Sequence, residues 1–343
     1  MANIRCDIKN VRPRPIRGFL SQNGVIFGDT EIGLPYTYII KAMHQSDVYV
    51  NGKLVERIGD ASKLLDGMTV VKTTPEDVAT KLTEIKDGDI VSLAAGEYTE
   101  PITLDKECII SGTKDTVISA PITVNGGNVI IEGVTMKVTD KTMVSANGDK
   151  DVSIVNVDFK KDDDVECRTL LSLPTKGQTV IDGCNFKDPN HKVYNVMEFG
   201  INKDDYTNGG VIIRNCVFDQ IGHNHISFYN VVNGGKILIE NCDFGYNGGV
   251  RVSNVNNTEW TLTLKDCIYR GSDEGDYQSL VCFQDFDKEN VQDFTKITLI
   301  CDNLVDGNGK HLTKNTDPQV VYVYDDKTSS ILKDENQPKI IFK

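Results

Sequence analysis

An eight-residue pattern of apolar and polar positions recurs six times in the middle of the chain. Its third column is Ile or Leu, its sixth is Val or Cys, and its eighth is Met, Phe or Tyr. The blocks are residues 129–136, 152–159, 179–186, 211–218, 237–244 and 262–269. Their last residues are 23, 27, 32, 26 and 25 positions apart. Recurrence at roughly 20–50 residues predicts a solenoid, in which each repeat buries its apolar face against its neighbours.

The fifth column of the block identifies the kind of solenoid. Strict alternation from column three would place column eight on the opposite face of a strand. Column five therefore has to bend the chain, and it holds residues that enter the left-handed backbone region cheaply: Gly133, Asn156, Gly183, Asn215, Asn241 and Asp266. Strand, one-residue bend and strand then repeat, which predicts an all-β, right-handed parallel β-helix. A leucine-rich horseshoe, the competing solenoid, would need a longer leucine frame and shorter repeats.

The inward columns predict a continuous core of stacked side chains. Their members are Ile131, Ile154, Ile181, Ile213, Ile239 and Leu264 in column three, Cys184, Cys216, Cys242 and Cys267 in column six, and Phe159, Phe186, Phe218 and Phe244 in column eight. Nine cysteines in total, an odd number, and four of them in an inward column favour reduced thiols that serve as small buried apolar groups.

The remaining chain divides into four predicted parts. Residues 1–20 form a basic extended arm with Arg5, Lys9, Arg12, Arg14 and Arg17, and residues 21–70 form a small β module with a hairpin around Asn51-Gly52. Residues 71–312 form the β-helix, which begins with a capping helix at about 75–86, N-capped by Thr74. Residues 313–343 supply strands that cap the C-terminal end.

A family resemblance accompanies this organisation. The run from Pro75 to Tyr98, with the Asn/Gly-Cys-x-Phe blocks, resembles the capping helix and rungs of pectin-lyase-like β-helix proteins over about residues 74–310. That superfamily includes polysaccharide lyases, hydrolases, phage tailspikes and catalytically silent virion proteins. The resemblance therefore implies the fold and leaves the function open.

Net charge and hydropathy exclude several classes of partner. The formal net charge of −13 argues against nucleic acid as a partner of the whole body. No apolar run suits a signal peptide or a membrane span. The spacings of a zinc site are also absent, so no metal or cofactor is expected.

Candidate chemistry along the sequence is sparse. Asp162-Asp163-Asp164 and Asp204-Asp205 read as solvated acidic loops, although the first could ligate Ca²⁺. His223 and His225 would share a strand face as a metal or acid/base pair, but a structural or surface pair fits them better. The arginines at 168, 214 and 251 share no column and are expected in surface ion pairs, and few aromatic residues lie in the loops. No catalytic residue is assigned.

Domain order suggests the function. A small N-terminal module before a silent β-helix resembles bacteriophage virion proteins, such as capsid decoration proteins and head or tail fibres. The expectation is a non-enzymatic virion protein, assembled in the bacterial cytoplasm, whose N-terminal region binds other virion proteins. Homo-oligomerisation and contact with a host glycan stay open. The alternative is a tailspike-like lyase or hydrolase with its site in the loops around 160–230, supported if acidic and basic side chains of adjacent rungs converge within about 5 Å.

Overall fold

A computed structural model of the 343-residue chain describes most of the molecule from residue 69 onward. The described residues are 69–146, 151–162, 164–173, 177–187, 192–200, 210–219, 224–245, 248–253, 257–271, 279–284, 293–314, 316, 318–325 and 330–343, together with the backbone of five strands before residue 58.

Three long sheets run through the part of the chain from residue 70. The eleven-stranded sheet consists of β6 (Val70–Thr73), β7 (Asp89–Leu93), β10 (Cys108–Ser111), β13 (Val129–Glu132), β16 (Val152–Val155), β19 (Thr179–Asp182), β22 (Gly210–Arg214), β25 (Gly235–Glu240), β27 (Trp260–Lys265), β29 (Ile297–Asp302) and β32 (Lys339–Phe342). The six-stranded sheet consists of β8 (Gly96–Tyr98), β11 (Thr116–Ile118), β14 (Thr135–Val138), β17 (Asp158–Lys161), β20 (Asn185–Lys187) and β23 (Val217–Asp219). The ten-stranded sheet consists of β9 (Ile102–Leu104), β12 (Ile122–Val124), β15 (Val144–Ala146), β18 (Cys167–Ser172), β21 (Val193–Phe199), β24 (Asn224–Phe228), β26 (Val250–Val252), β28 (Ser279–Phe283), β30 (Gln319–Asp325) and β31 (Ser330–Ile331).

From β7 to β24 the chain visits the three sheets in turn, so that each coil adds one strand to each sheet; beyond β23 the position of the six-stranded sheet is held by single parallel bridges. Strands β7, β8 and β9 form one coil, and β10, β11 and β12 pair with them in parallel to form the next. This rotation continues through the repeated blocks, whose column-three residues pair directly from rung to rung. The predicted fold is confirmed: the chain is a parallel β-helix.

The bend at column five has the predicted backbone conformation. Its non-glycine members all lie in the left-handed region: Asn156 at φ 51°, Asn215 at 54°, Asn241 at 51° and Asp266 at 52°. Their side chains also stack. The Asn241 amide donates to Asn215 Oδ1 at 2.7 Å, and the Asn215 amide donates to Asp182 Oδ1 at 2.8 Å. Left-handed geometry and polar stacking therefore act together in column five.

Substitution of Asn215 separates these two contributions. Asn215→Ala should lower the free energy of unfolding by roughly 2 kcal/mol, because alanine is strained at positive φ and the two amide contacts are lost. Asn215→Gly loses the same contacts without the strain, so its loss should be roughly 1 kcal/mol smaller. Urea denaturation of the two variants measures the difference; equal losses would contradict a backbone role for this position.

The inward columns lie in the interior. All fourteen ladder residues predicted from columns three, six and eight are buried, with exposed fractions of 0–3%. Rings of column eight stack from rung to rung, with centroid distances of 4.6 Å for Phe159–Phe186, 5.2 Å for Phe186–Phe218 and 5.3 Å for Phe218–Phe244. The eight cysteines among the described residues are buried thiols. Burial raises the pKa of Cys108 and of Cys301 to about 12, so both remain neutral thiols.

The capping helix is shorter than predicted. Helix α1 spans Val78–Glu84, and its N-cap is Asp77 rather than Thr74. A turn precedes it, in which the amide of Val78 donates to the Thr74 carbonyl. The Thr74 amide and hydroxyl both donate to Asp77 Oδ1, at 2.7 and 3.3 Å. The Thr74 side chain is thus engaged in the turn and does not cap the helix.

The two ends of the chain differ in architecture from each other. Strands β1 (Ile4–Asp7), β4 (Asp47–Val50) and β5 (Lys53–Arg57) form an antiparallel sheet, and β2 (Gly18–Ser21) pairs antiparallel with β3 (Gly24–Phe27). Pairing of β4 with β5 confirms the predicted hairpin. At the other end, β30 and β32 lie within the predicted cap at 313–343 but pair in parallel with β28 and β29. Rungs therefore continue past residue 312.

Candidate functional site

A buried polar cluster lies on the outer face of the ten-stranded sheet. Alternate residues of its strands point into the core, including Met197, Ile226 and Val250. The residues next to these form one in-register row across the sheet: Ser172, Glu198, Ser227, Arg251, Cys282 and Tyr322. Glu198 and Arg251 are each 4% exposed, although charged groups on an outer sheet face are ordinarily solvated.

Hydrogen bonds connect the members of this cluster. Glu198 Oε1 accepts from the Asn195 amide at 2.7 Å and from the Tyr229 hydroxyl at 3.4 Å. Arg251 Cζ lies 5.3 Å from the centre of the Tyr229 ring, and its Nε and Nη2 donate to the Gln284 carbonyl at 3.4 and 3.3 Å. A carboxylate, a phenol and a guanidinium from three successive coils therefore meet around Tyr229. We call Glu198, Tyr229 and Arg251 the Glu–Tyr–Arg cluster.

The surroundings of Tyr229 change the titration of its phenol. Burial raises the pKa of its phenol, the Arg251 guanidinium opposes that rise, and the Glu198 carboxylate adds to it. Tyr229 is also only half-buried, whereas Glu198 and Arg251 are buried. A phenol that stays protonated, beside a carboxylate and a cation, can donate a proton to a bound molecule.

The predicted acidic candidates do not form a metal site among the described residues. Asp162 and Asp164 line an open groove with Lys137, Asp140 and Glu166. Lys137 Nζ lies 3.2 Å from Asp162 Oδ2, in an exposed ion pair. No group of three or more His, Cys, Asp or Glu side chains in the described chain suits a metal ion. Asp163 and the Asp204-Asp205 pair lie outside the described residues.

His225 lies in the core and not on an accessible strand face. Its ring is fully buried against Phe218 and Phe244, at centroid distances of 5.3 and 5.7 Å. It occupies a column of otherwise aliphatic residues or glycine, which comprises Met143, Leu170, Val196, His225, Gly249, Leu280 and Val320. Neither ring nitrogen has a hydrogen-bond partner among the described residues, and burial lowers the pKa to about 3. His225 is thus a neutral core residue, and His223 lies outside the described residues.

Acid should destabilise the protein through His225. An unfolded histidine binds a proton near pH 6.5, whereas the folded one binds it only near pH 3, so the unfolded state holds more protons between these values. The contribution of the neutral, buried imidazole to the free energy of unfolding is therefore complete above pH 6.5 and is lost as the pH falls towards 3. Wild type should lose roughly 2 kcal/mol between pH 6.5 and pH 5 from this group. His225→Leu, which matches the aliphatic column, should abolish that loss.

Urea denaturation across this pH range measures the effect. His311→Gln is the control, because His311 is exposed and its replacement should leave the acid-dependent loss in place. Parallel curves for wild type and His225→Leu would show that the buried imidazole does not control the pH dependence.

Two of the three candidate arginines are not on the surface, which corrects the prediction of exposed ion pairs. Arg168 is exposed, but Arg214 and Arg251 are 7% and 4% exposed. Arg214 Nε lies 2.7 Å from Oδ2 of buried Asp182, its in-register neighbour on the preceding rung. Parallel pairing brings residues far apart in sequence to about 4.8 Å, and this distance makes such pairs possible.

Glu198 and Tyr229 are cluster residues that sequence reasoning missed. Neither belongs to the repeated block, and the loops before them vary in length, so their rung-to-rung register is not visible in the sequence. The single tryptophan, Trp260, is 2% exposed and packs near Phe228 in the core. The predicted anchoring residues fall outside the described side chains: Arg5 belongs to β1, and Lys9, Arg12, Arg14 and Arg17 lie between described strands. Their role stays a prediction.

In the described part of the chain, no helix has the length and apolar character needed to cross a membrane.

The chain was compared with known proteins. No family model and no curated protein matches the sequence. Among solved structures, an alginate lyase from Paenibacillus sp. str. FPU-7 is similar with 14% identity and a TM-score of 0.35, over 72% of this chain and 97% of that chain.

Proposed function

We propose that this protein is a structural component of a bacteriophage virion, assembled in the bacterial cytoplasm. Its N-terminal region would bind other virion proteins, and its β-helix would project outward as a capsid decoration or a head or tail fibre. Domain order is the observation that carries this proposal. The strands before residue 58 pair antiparallel in their own small sheets, whereas the long sheets from Val70 onward are built on parallel pairing.

The length, core and charge of the β-helix suit a projecting rod. Ten steps of about 4.8 Å between the strands of the eleven-stranded sheet make a body roughly 48 Å long. Its core is one continuous apolar cluster from Val78 to Leu332, so each coil is held by its neighbours on both sides. A net charge of −13 for the whole chain keeps such a rod soluble, and the basic arm provides a local patch of opposite sign.

Particle decoration tests this proposal. Cryo-electron microscopy would compare phage particles incubated with the full-length protein and with a version that lacks residues 1–70. Full-length rods should decorate the particles, and truncated rods should remain free. Absence of full-length protein from every particle surface would reject the proposal.

A charge-reversal pair examines the arm itself. The arm variant carries Arg12→Glu, Arg14→Glu and Arg17→Glu, and the control carries Lys86→Glu, Lys106→Glu and Lys114→Glu on exposed sites of the β-helix. Both changes alter the net charge equally. Loss of decoration should follow the arm variant alone; equal loss in both would indicate nonspecific charge attraction.

The Glu–Tyr–Arg cluster supports a second candidate function, the degradation of a uronate-containing polysaccharide by β-elimination. Arg251 would neutralise the substrate carboxylate, and Glu198 would remove the proton next to it. As the carbon–carbon double bond forms, the bond to the leaving sugar breaks and Tyr229 protonates the leaving oxygen. Glu198 then returns its proton to Tyr229 across the 3.4 Å contact. This candidate ranks second, because two of its three groups are buried.

Formation of an unsaturated sugar tests the enzymatic candidate. Wild type would be incubated with a panel of uronate polymers, and the ultraviolet absorbance of the product would be followed. Tyr229→Phe should abolish product formation, whereas Tyr194→Phe, an exposed tyrosine on the same sheet, should not. A wild type inert on the whole panel would exclude elimination.

Ion pairs across adjacent rungs, such as Asp182–Arg214, do converge within 5 Å. The two charges of such a pair neutralise each other, so the pair supplies no acid or base.

A further inference from the structure

An aliphatic row runs along the outer face of the eleven-stranded sheet. Its members follow one another in register through all eleven strands: Val70, Ile90, Ile109, Ile130, Ser153, Val180, Ile212, Leu238, Thr263, Ile300 and Ile341. Nine of these eleven residues are apolar, although the alternate positions of the same strands already supply the core. We call this set the outer row.

The outer row is separate from the core and partly open to solvent. Ile90 and Ile109, with Ile130 against them, form an apolar cluster distinct from the main one. These first two isoleucines are buried, whereas the eight members from Ile130 to Ile341 are only half-buried. An apolar surface that runs through this many strands is of the size that often has a functional role as an interaction site.

A row of charges beside the outer row contains two ion pairs. In register it comprises Glu132, Asp182, Arg214, Glu240, Lys265 and Asp302, with signs that alternate from Asp182 onward. Arg214 contacts Asp182 at 2.7 Å, Lys265 contacts Glu240 at 2.5 Å, and Glu132 accepts from the Ser111 hydroxyl at 3.0 Å. Four acidic and two basic residues give this row a net charge of −2, in a chain whose net charge is −13.

We propose that two copies of the chain associate through this face, with the outer rows packed against each other about a two-fold axis. Like-charge repulsion between two strongly acidic rods opposes association everywhere except where charge is locally cancelled. A two-fold interface also requires a self-complementary surface. The outer row meets that need by apolar contact, and the half-exposed charges of Glu240, Lys265 and Asp302 meet it because an offset of one strand places opposite signs across the interface.

The available area fits such a dimer. Eight strands at ~4.8 Å and two rows of side chains about 13 Å wide make roughly 500 Å² of sheet plane per copy. The pair would bury about 1,000 Å², which is the area that a specific interface needs. Two sheets packed face to face at about 10 Å bring both aliphatic rows into contact.

Light scattering on the full-length protein tests the proposal, with wild type expected as a dimer. Val180→Lys places a charge in the outer row and should raise the dissociation constant of the dimer at least roughly tenfold. Val217→Lys is the matched control: Val217 is 38% exposed on the six-stranded sheet, and its replacement should leave the dimer intact. Circular dichroism confirms that both variants fold.

Cross-linking provides a second measurement that does not depend on a destabilising change. Ser153→Cys lies in the outer row, and Thr123→Cys lies half-exposed on the ten-stranded sheet; both are made in a Cys6→Ser background. A short bis-maleimide should link two chains in the Ser153→Cys variant only. A monomeric wild type at its highest soluble concentration, or an oligomer that withstands Val180→Lys and links equally through both sites, would overturn the proposal.

Discussion

Replacement of Phe218 by alanine should lower the free energy of unfolding by about 3–5 kcal/mol. Phe218 is fully buried, and its ring stacks on Phe186 at 5.2 Å and on Phe244 at 5.3 Å, with His225 at 5.3 Å. Truncation removes the ring from all three contacts and leaves a cavity. Because these partners belong to different coils of a rigidly stacked solenoid, the surrounding chain cannot easily collapse into the space.

Hydrogen exchange and urea denaturation measure this effect. Exchange should accelerate most in β20, β23 and the neighbouring coil, because a solenoid coil depends mainly on its nearest neighbours. Val217→Ala is the control, since Val217 precedes Phe218 on the same strand but points outward. Its loss should stay within roughly 0.5 kcal/mol. A similar loss for both variants would mean that column eight does not dominate the packing.

Removal of the Arg214 guanidinium should lower the free energy of unfolding by as much as the loss of the Phe218 ring. Arg214→Met leaves the Asp182 carboxylate buried without its ion-pair partner, and breaking a buried pair in this way typically costs about 3–5 kcal/mol. Side-chain exposure of 9% for Arg214 and 3% for Asp182 leaves little access for water to replace the lost contact. Addition of Asp182→Leu to the same chain should recover most of the loss, because the uncompensated charge disappears with it.

Lys265→Met is the matched control for Arg214→Met. Lys265 and Glu240 lie in the same row of charges, but their side chains are 42% and 30% exposed. An exposed pair contributes at most about 1 kcal/mol, so this variant should differ little from wild type. Urea denaturation of all four chains completes the comparison. A double variant no more stable than Arg214→Met would mean that loss of apolar contacts by the arginine stem, rather than the stranded charge, causes the destabilisation.

The repeated block made the fold predictable from sequence. The Asn, Asp and Gly residues of column five predicted a left-handed bend, because few other residues tolerate that backbone conformation. Columns three and eight were predicted to be buried, because column three is aliphatic in every block and column eight is a large apolar or aromatic residue in every block. Capping was predicted less well. Thr74 looked like an N-cap, but its hydroxyl is engaged with Asp77, a competition that residue type alone does not reveal.

The candidate site was largely invisible in the sequence. Arg251 was noticed but assigned to the surface, and Glu198 and Tyr229 carried no signal, because a contact between them depends on how loops of unequal length set the register of β21 and the residues after β24. His225 was expected to share a strand face with His223 and lies instead against two phenylalanines of the core. Two consecutive residues, His225 and Ile226, both turn inward, as the residue pairs at 170–171, 196–197 and 280–281 do on other coils, and this causes the change of face.

The sequence by itself determined the coil, its bends and its core, since these depend on local backbone preference and on repetition at a nearly constant period. Only the tertiary structure decided which polar residues meet. Parallel pairing places residues from successive coils about 4.8 Å apart whatever their separation along the chain. The Glu–Tyr–Arg cluster, the Asp182–Arg214 pair and the outer row therefore exist as sites only once the register between coils is fixed.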